Sequence, residues 1–270
     1  MGNSVSTPEK LLGAEIRRLR HEQGISQEHL AAKIQFSPAM VGFVERGERT
    51  PTQDFVARCE AALGARTLQP LWGECAPKNA PRWFRPWTKI EAEARTIRIW
   101  EPLLVPGLLQ THDYARAVLS AEPAVSRERV EELLKARIQR QNVFDQPSPP
   151  VVSVLIDEGV LYRPVGGVAV MHRQLEHLVE MMARPCVTVQ VVPVAVGATA
   201  GLSGAFALAQ VAGARDAAYL DNPINGQVTD REDEVHAITL RFDAVRAWAH
   251  PQHVSEQVIR EMKVKYEPQG

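Results

Sequence analysis

"FSPAMVGFVERGERTPT" occupies residues 36–52 and is dense in helix punctuation. Ser37 can cap a helix through its hydroxyl, and Pro38 fits the first helical position, where a missing N–H costs nothing. Val41 and Val44 then share an inner face, and Gly47 ends the helix. Thr50-Pro51-Thr52 starts another, with Phe55, Cys59 and Leu63 on one stripe as far as Gly64. Upstream, Ser26 caps a helix barely two turns long whose inner face is Leu30, Ala31 and Ile34. Before it, Leu12, Ile16 and Leu19 recur at helical spacing until Gln23-Gly24, where glycine suits the left-handed residue that closes a helix. The spacing predicts four helices between Lys10 and Arg66. The central two are short and joined by a tight turn, a helix-turn-helix unit whose second helix is the right size for the major groove.

The longer stretch "LRHEQGISQEHLAAKIQFSPAMVGFVERGERTPT" resembles the phage-repressor-like DNA-binding domains, the Xre-type helix-turn-helix, over about residues 10–66. One departure is Gln35, where the turn often carries glycine. The resemblance implies that Gln27, at the start of the second helix, bonds a DNA phosphate, helped by the amides and dipole of that helix terminus. It implies that Ser37, Pro38, Ala39, Gly42 and Phe43 face the bases or the adjoining backbone, with Arg46 and Arg49 as phosphate contacts beyond. None of the five is the bidentate Arg, Asn or Gln that reads a guanine or adenine edge. Apolar contact with thymine methyls, or readout of DNA shape, is therefore expected over a rich hydrogen-bond code. The resemblance also implies that Arg20 pairs with Glu45 and so fixes the angle between two helices. The bland alternative is a plain helical bundle with Arg46, Glu48 and Arg49 on a solvated face. Residues 10–66 hold nine Lys/Arg against seven Asp/Glu, a local charge of +2. One copy should bind DNA weakly and with strong salt sensitivity, which implies a homodimer or a second partner.

The whole chain of 270 residues can hold two ordinary domains. Its 45% hydrophobic and 23% charged residues are those of a folded globular protein, and its net charge of -1 offers nucleic acid no global attraction. Cys59, Cys75 and Cys186 form neither a CxxC pair nor a disulfide framework, which suits a reducing cytoplasm. The start, MGNSVSTPEK, lacks the features of a signal peptide, and no apolar run reaches the roughly 18 residues of a membrane span. No membrane association is expected.

Residues 67–88 change character and read as a linker, "ECAPKNAPRWFRPWTK" being rich in proline and large aromatics. Trp83, Phe84 and Trp87 are read as capping the next core, with a ligand groove as the alternative. From 89 to 266 the pattern alternates. Helix is expected at 89–96, strand at 97–100, helices at 110–119 and 126–143, strand at 151–157, helix at 172–183, and strands at 187–192, 204–211 and 217–221. Helices close the chain at 231–236, 243–249 and 254–265. The connections look too irregular for a clean βαβ repeat, so a mixed α+β domain with a mixed or largely antiparallel sheet is expected behind the all-α first domain. This region resembles, in "IRIWEPLLVPGLLQTHDYARAVL", "RIQRQ", "LYRPVGG", "HRQLEHL", "VTVQVVP", "GAFALAQ", "YLDN" and "RFDAVRAWA", the regulators in which an Xre-type helix-turn-helix precedes a DUF5753 domain, among them WhiJ-like and Scr1 antitoxin-like members. The resemblance implies a possible small DUF397-type protein partner that the domain binds and restrains.

Catalytic patterns fail. "GATAGLSG" at 197–204 has neither the Lys-Ser/Thr of a phosphate loop nor a G-x-S-x-G elbow, and reads as a flexible loop. His172 and His177 miss the i, i+4 spacing of a helical metal pair, and His250 and His253 lie in a Pro-broken turn. Asp230, Glu232, Asp233 and Glu234 read as the acidic start of a helix. Met171, Met181 and Met182 read as core filler. "LLVPGLL" at 103–109 is read as crossing the core, with a partner-binding edge as the alternative. No cofactor, metal or catalytic residue is expected. The reading is a cytoplasmic, non-enzymatic transcriptional regulator that binds double-stranded DNA. Its rivals are an antitoxin-like protein that sequesters a small partner and a small-molecule sensor.

Overall fold

The computed structural model describes residues 8–48, 51, 53–74, 84–222 and 226–267. Arg49, Cys75 and Trp83 lie outside the described residues. Five helices come first: α1 (Pro8–Glu22), α2 (Gln27–Ile34), α3 (Pro38–Glu45), α4 (Gln53–Leu63) and α5 (Leu68–Glu74). Their apolar stripes meet in one core of Leu12, Ile16, Leu30, Ile34, Val41, Phe55, Leu63, Leu68 and Trp72, among others. The phenyl rings of Phe36 and Phe55 meet edge to face at 5.0 Å. Helix α5 falls in the stretch read as linker. Its first amides, of Leu68 and Gln69, donate to Glu60 Oε1 at 2.9 and 3.0 Å, and Trp72 Nε1 donates to Pro51 O at 2.8 Å. These partners lie in α4 and the loop before it, so the helix is capped from outside its own segment.

The rest of the chain builds a mixed sheet. In order come α6 (Arg85–Glu93), β1 (Ala94–Glu101), α7 (His112–Ser120), α8 (Arg127–Arg140), β2 (Val151–Asp157), α9 (Gly159–Tyr162), α10 (Val168–Met182) and β3 (Val187–Val192). After them come β4 (Phe206–Val211), β5 (Ala217–Leu220), β6 (Gln227–Thr229), α11 (Glu232–Arg246) and α12 (Gln252–Lys265). The sheet order is β3-β2-β1-β4-β5-β6. β1, β2 and β3 are parallel neighbours, while β1/β4, β4/β5 and β5/β6 are antiparallel. Two helical crossovers therefore do link β1 to β2 to β3, and the irregularity expected from the sequence belongs to the antiparallel half.

Period-2 alternation assigns the faces. Ile97, Ile99, Val152, Val154, Ile156, Val189 and Val191 pack with Trp87, Tyr114, Leu175, Leu178, Ile259 and Met262 on one face. Trp100, Leu155, Phe206 and Leu208 pack with Val235, Ile238, Phe242 and Val245 of α11 on the other. The outer edge of β3 is closed by the chain entering α12. His250 N donates to Val191 O at 2.8 Å, and Ser255 Oγ accepts from Val191 N at 2.9 Å, which removes a free edge from aggregation. At the opposite edge, β6 lies against α4 of the first domain.

Several expectations need correction. Helix α11 is continuous where two helices, 231–236 and 243–249, were expected. β6 and α9 were not anticipated. "GATAGLSG" is not simply a flexible loop: Gly201 lies so close to the Trp100 indole that a Cβ would stand 2.4 Å from the ring, and Trp100 Nε1 donates to Gly201 O at 2.8 Å. In "LLVPGLL", Val105, Leu108 and Leu109 are buried, while Leu103 is 57% exposed. Among the described residues no helix is long and apolar enough to cross a membrane.

Candidate nucleic-acid interface

Helices α2 and α3 are short, so their ends decide their geometry. Ser26 Oγ accepts from His29 N at 3.1 Å, and Ser37 Oγ accepts from Met40 N at 3.2 Å, each satisfying a free amide of the first turn. Between them, Gln35 takes the left-handed conformation, with φ 60° and ψ 43°. That geometry costs a non-glycine residue roughly 1 kcal/mol. Arg58 of α4 offsets it, donating to Gln35 Oε1 at 2.9 Å and to Ile34 O at 3.4 Å.

The inner side of α3 locks onto α1. Gly13 is the contact point, since a Cβ there would fall 2.2 Å from Val44 O. Arg20 of α1 reaches the end of α3, its Nε 2.6 Å from Glu45 Oε1 and its Nη2 2.9 Å from Glu45 Oε2, while Nη1 donates to Ile25 O at 2.8 Å. Gln27 Nε2 adds a third bond to the carboxylate, donating to Glu45 Oε2 at 2.8 Å. Both charged side chains are buried. Burial pushes the Glu45 carboxyl up, but the hydrogen bonds from Arg20 and Gln27 outweigh it and hold the group below the usual carboxylate range. One carboxylate thus ties together α1, α2 and α3.

The outer side of α3 is different. Pro38 and Ala39 are exposed, Phe43 is 38% exposed, and they form one wall of a groove of about 560 Å³ whose other wall is the first turn of α2, with Ser26, Gln27 and Glu28. Gly42 lies under Arg46 and Gln27. Arg46 is exposed, pairs with Glu48 at 2.8 Å and sits over the Phe43 ring at 5.1 Å from its centroid. The structure therefore brings Gln27, Pro38, Ala39, Gly42, Phe43 and Arg46 to one side of the α2–α3 pair, with Gln27 bonded to the Arg20–Glu45 link and Ser37 engaged as the cap of α3.

A model of the helix-turn-helix family matches residues 16–71, and one described as "Domain of unknown function (DUF5753)" matches residues 84–261. The chain belongs to the DUF5753 family, with an Xre-type helix-turn-helix at its N-terminal end. Among curated proteins, the "Uncharacterized HTH-type transcriptional regulator y4dJ" of Sinorhizobium fredii is 40% identical over 60 residues, 22% of this chain and 78% of that protein. "Multiprotein-bridging factor 1" of Candida glabrata is 35% identical over 78 residues, 28% of this chain and 50% of that protein. No solved structure matches.

The DUF5753 region carries a charged cluster that sequence reading did not single out. Glu101 ends β1, the strand at which the sheet changes from parallel to antiparallel pairing. Burial pushes its carboxyl up to about 8, the charge of Asp221 adds to the rise, and Arg137 of α8 opposes it. Burial brings the Arg137 guanidinium down to about 10, and its Nη1 donates to Gln110 Oε1 at 2.9 Å. Arg140 makes two 2.7 Å bonds to Glu91 and lies 4.5 Å over the Phe84 ring. The sequence blocks "LLVPGLLQ", "RIQRQ" and "YLDN" supply most of these groups, but only the fold brings them together. Among the described residues no group of three or more His, Cys, Asp or Glu side chains is placed to hold a metal ion.

Proposed function

We propose that this protein is a sequence-specific DNA-binding transcriptional regulator that works in the cytoplasm as a homodimer and catalyses no reaction. The DNA-binding domain runs from residue 10 through α5, which packs into its core, and the part that receives a signal begins with α6, whose Trp87 packs into the second core. The observation that carries the reading is the two-sided character of α3: its inner side is fixed by Gly13, Arg20 and Glu45, while its outer side is exposed beside the amide-rich start of α2. Such an arrangement presents a rigid helix to a major groove and a helix terminus to a phosphate. In this reading Gln27 and Ser37 meet the backbone, Pro38, Ala39 and Phe43 meet the bases, Gly42 lies beneath Gln27 and Arg46 on the same side, and Arg46 and Arg49 meet flanking phosphates. The relatives named as a transcriptional regulator and a bridging factor cover 22% and 28% of this chain, and they support the DNA-binding role alone.

Signal input belongs to the DUF5753 part, whose strand β6 touches α4, the helix that braces the α2–α3 turn through Arg58. The signal is either a small ligand or a DUF397-type protein, in which case the chain is also antitoxin-like. Co-purification of a stoichiometric small protein selects the second. For DNA binding itself, nuclease protection of the region upstream of the protein's own gene should show two related half-sites about one helical turn apart. A folded, full-length protein that protects no discrete site would contradict the proposal.

A further inference from the structure

We infer that the α3 surface selects its DNA site through the 5-methyl groups of pyrimidines in the major groove, with Pro38, Ala39 and Phe43 as the readers. The inference rests on the DNA-binding reading above and decides between two modes that the sequence leaves open, methyl contact and shape.

Three observations carry it. First, the exposed positions of α3 ahead of its C-terminal cap are Pro38, Ala39 and Phe43, and none has a side-chain hydrogen-bonding group, while Met40, Val41, Val44 and Glu45 are turned into the core. Second, three of the polar groups beside this face have partners within the domain, which leaves the Glu28 carboxylate across the groove as a polar group without one among the described residues. Ser37 Oγ caps the helix at Met40 N, Gln27 Nε2 is held by Glu45, and Arg46 is drawn to Glu48. Third, Phe43 is 38% exposed and lines the groove between α2 and α3, with the Arg46 guanidinium over its ring at 5.1 Å from the centroid.

The one methyl group that the four standard bases offer in the major groove is the 5-methyl of thymine; cytosine shows only a C–H there. An apolar side chain set against an adenine or guanine edge would strand a buried donor or acceptor instead. Each methyl removed from water contributes about 0.8 kcal/mol, or about fourfold in affinity. Two or three such contacts give roughly fifteenfold to sixtyfold discrimination on the same constants. The site should therefore be defined by the spacing of thymines. A 5-methylcytosine set where a read thymine stands should retain binding that cytosine loses.

The test uses full-length protein and a duplex selected from a random pool. Each thymine in turn is replaced by deoxyuridine, which deletes the methyl while keeping the base pair and the phosphates. Expected is a weakening of about fourfold at two or more clustered positions. The same replacements should matter less to Phe43→Ala, whose fold is checked by circular dichroism. At those positions, 5-methylcytosine should bind several-fold better than cytosine. Selection of a discrete site whose affinity changes less than twofold at every deoxyuridine would overturn methyl reading and leave DNA recognition standing. Recovery of no discrete site would overturn both.

Discussion

A single carbon added at Gly13 would meet the Val44 carbonyl at 2.2 Å and the Glu45 carbonyl at 2.9 Å, both backbone atoms that cannot step aside alone. Gly13→Ala, a favourable change in an isolated helix, should instead separate α1 from α3. The expected loss is about 1–3 kcal/mol in urea unfolding of the first domain, with weaker DNA binding. Arg20 and Glu45 give the second test at this scale. Arg20→Met leaves a buried carboxylate uncompensated and should destabilise the domain by about 3–5 kcal/mol, whereas Arg20→Met/Glu45→Met should recover a large part of that loss. Stability from the Glu45 link is present above the unfolded carboxylate pKa of about 4.3 and is lost as pH falls through its lower folded value. Caps at Ser26 and Ser37 were legible because a cap and its amide lie three residues apart. Gly13 was not, since in a sequence a mid-helix glycine reads only as a weakness and the backbone it approaches is about thirty positions away.

At the scale of elements, the same split between local and distant causes decides what could be read. Strand β2 stands out as an apolar run, "VVSVLI", because a parallel strand covered on both faces needs little alternation, while β3, "VTVQVV", is legible by its alternation up to Gln190. In the sequence α11 reads as two pieces, because Leu240, exposed in the fold, lies off the apolar stripe. The buried set Val235, Ile238, Phe242 and Val245 nevertheless keeps helical spacing throughout. Helix α5 was hidden by Pro70 and by a cap that comes from another helix. Glu60→Ala should therefore cost about 1 kcal/mol and raise hydrogen exchange in α5 before the rest of the first domain. Unchanged exchange at Leu68 and Gln69 would show that the Glu60 carboxylate does not hold this helix end.

For the whole molecule, the DUF5753 part should make stability depend on pH in the opposite sense from Glu45. The Glu101 carboxyl stands near 8 in the folded chain and near 4.3 unfolded, so the folded state keeps a proton that the unfolded state loses. Its contribution is most favourable below about 4.3 and declines, by at most roughly 1.4 kcal/mol per pH unit, until about 8. Glu101→Gln should remove that decline and raise the melting temperature at pH 9 by several degrees, with little change at pH 4.5. The account's central claim is that the outer side of α3 and the arginines after it bind duplex DNA. Its most direct test is the affinity of the full-length protein for the DNA upstream of its own gene, measured as a salt series for wild type and Arg46→Ala/Arg49→Ala. The account predicts specific binding that weakens in the variant, with the slope of log K against log salt shallower by about 2. An unchanged affinity and slope in a folded variant, or no specific binding by the wild type, would contradict it.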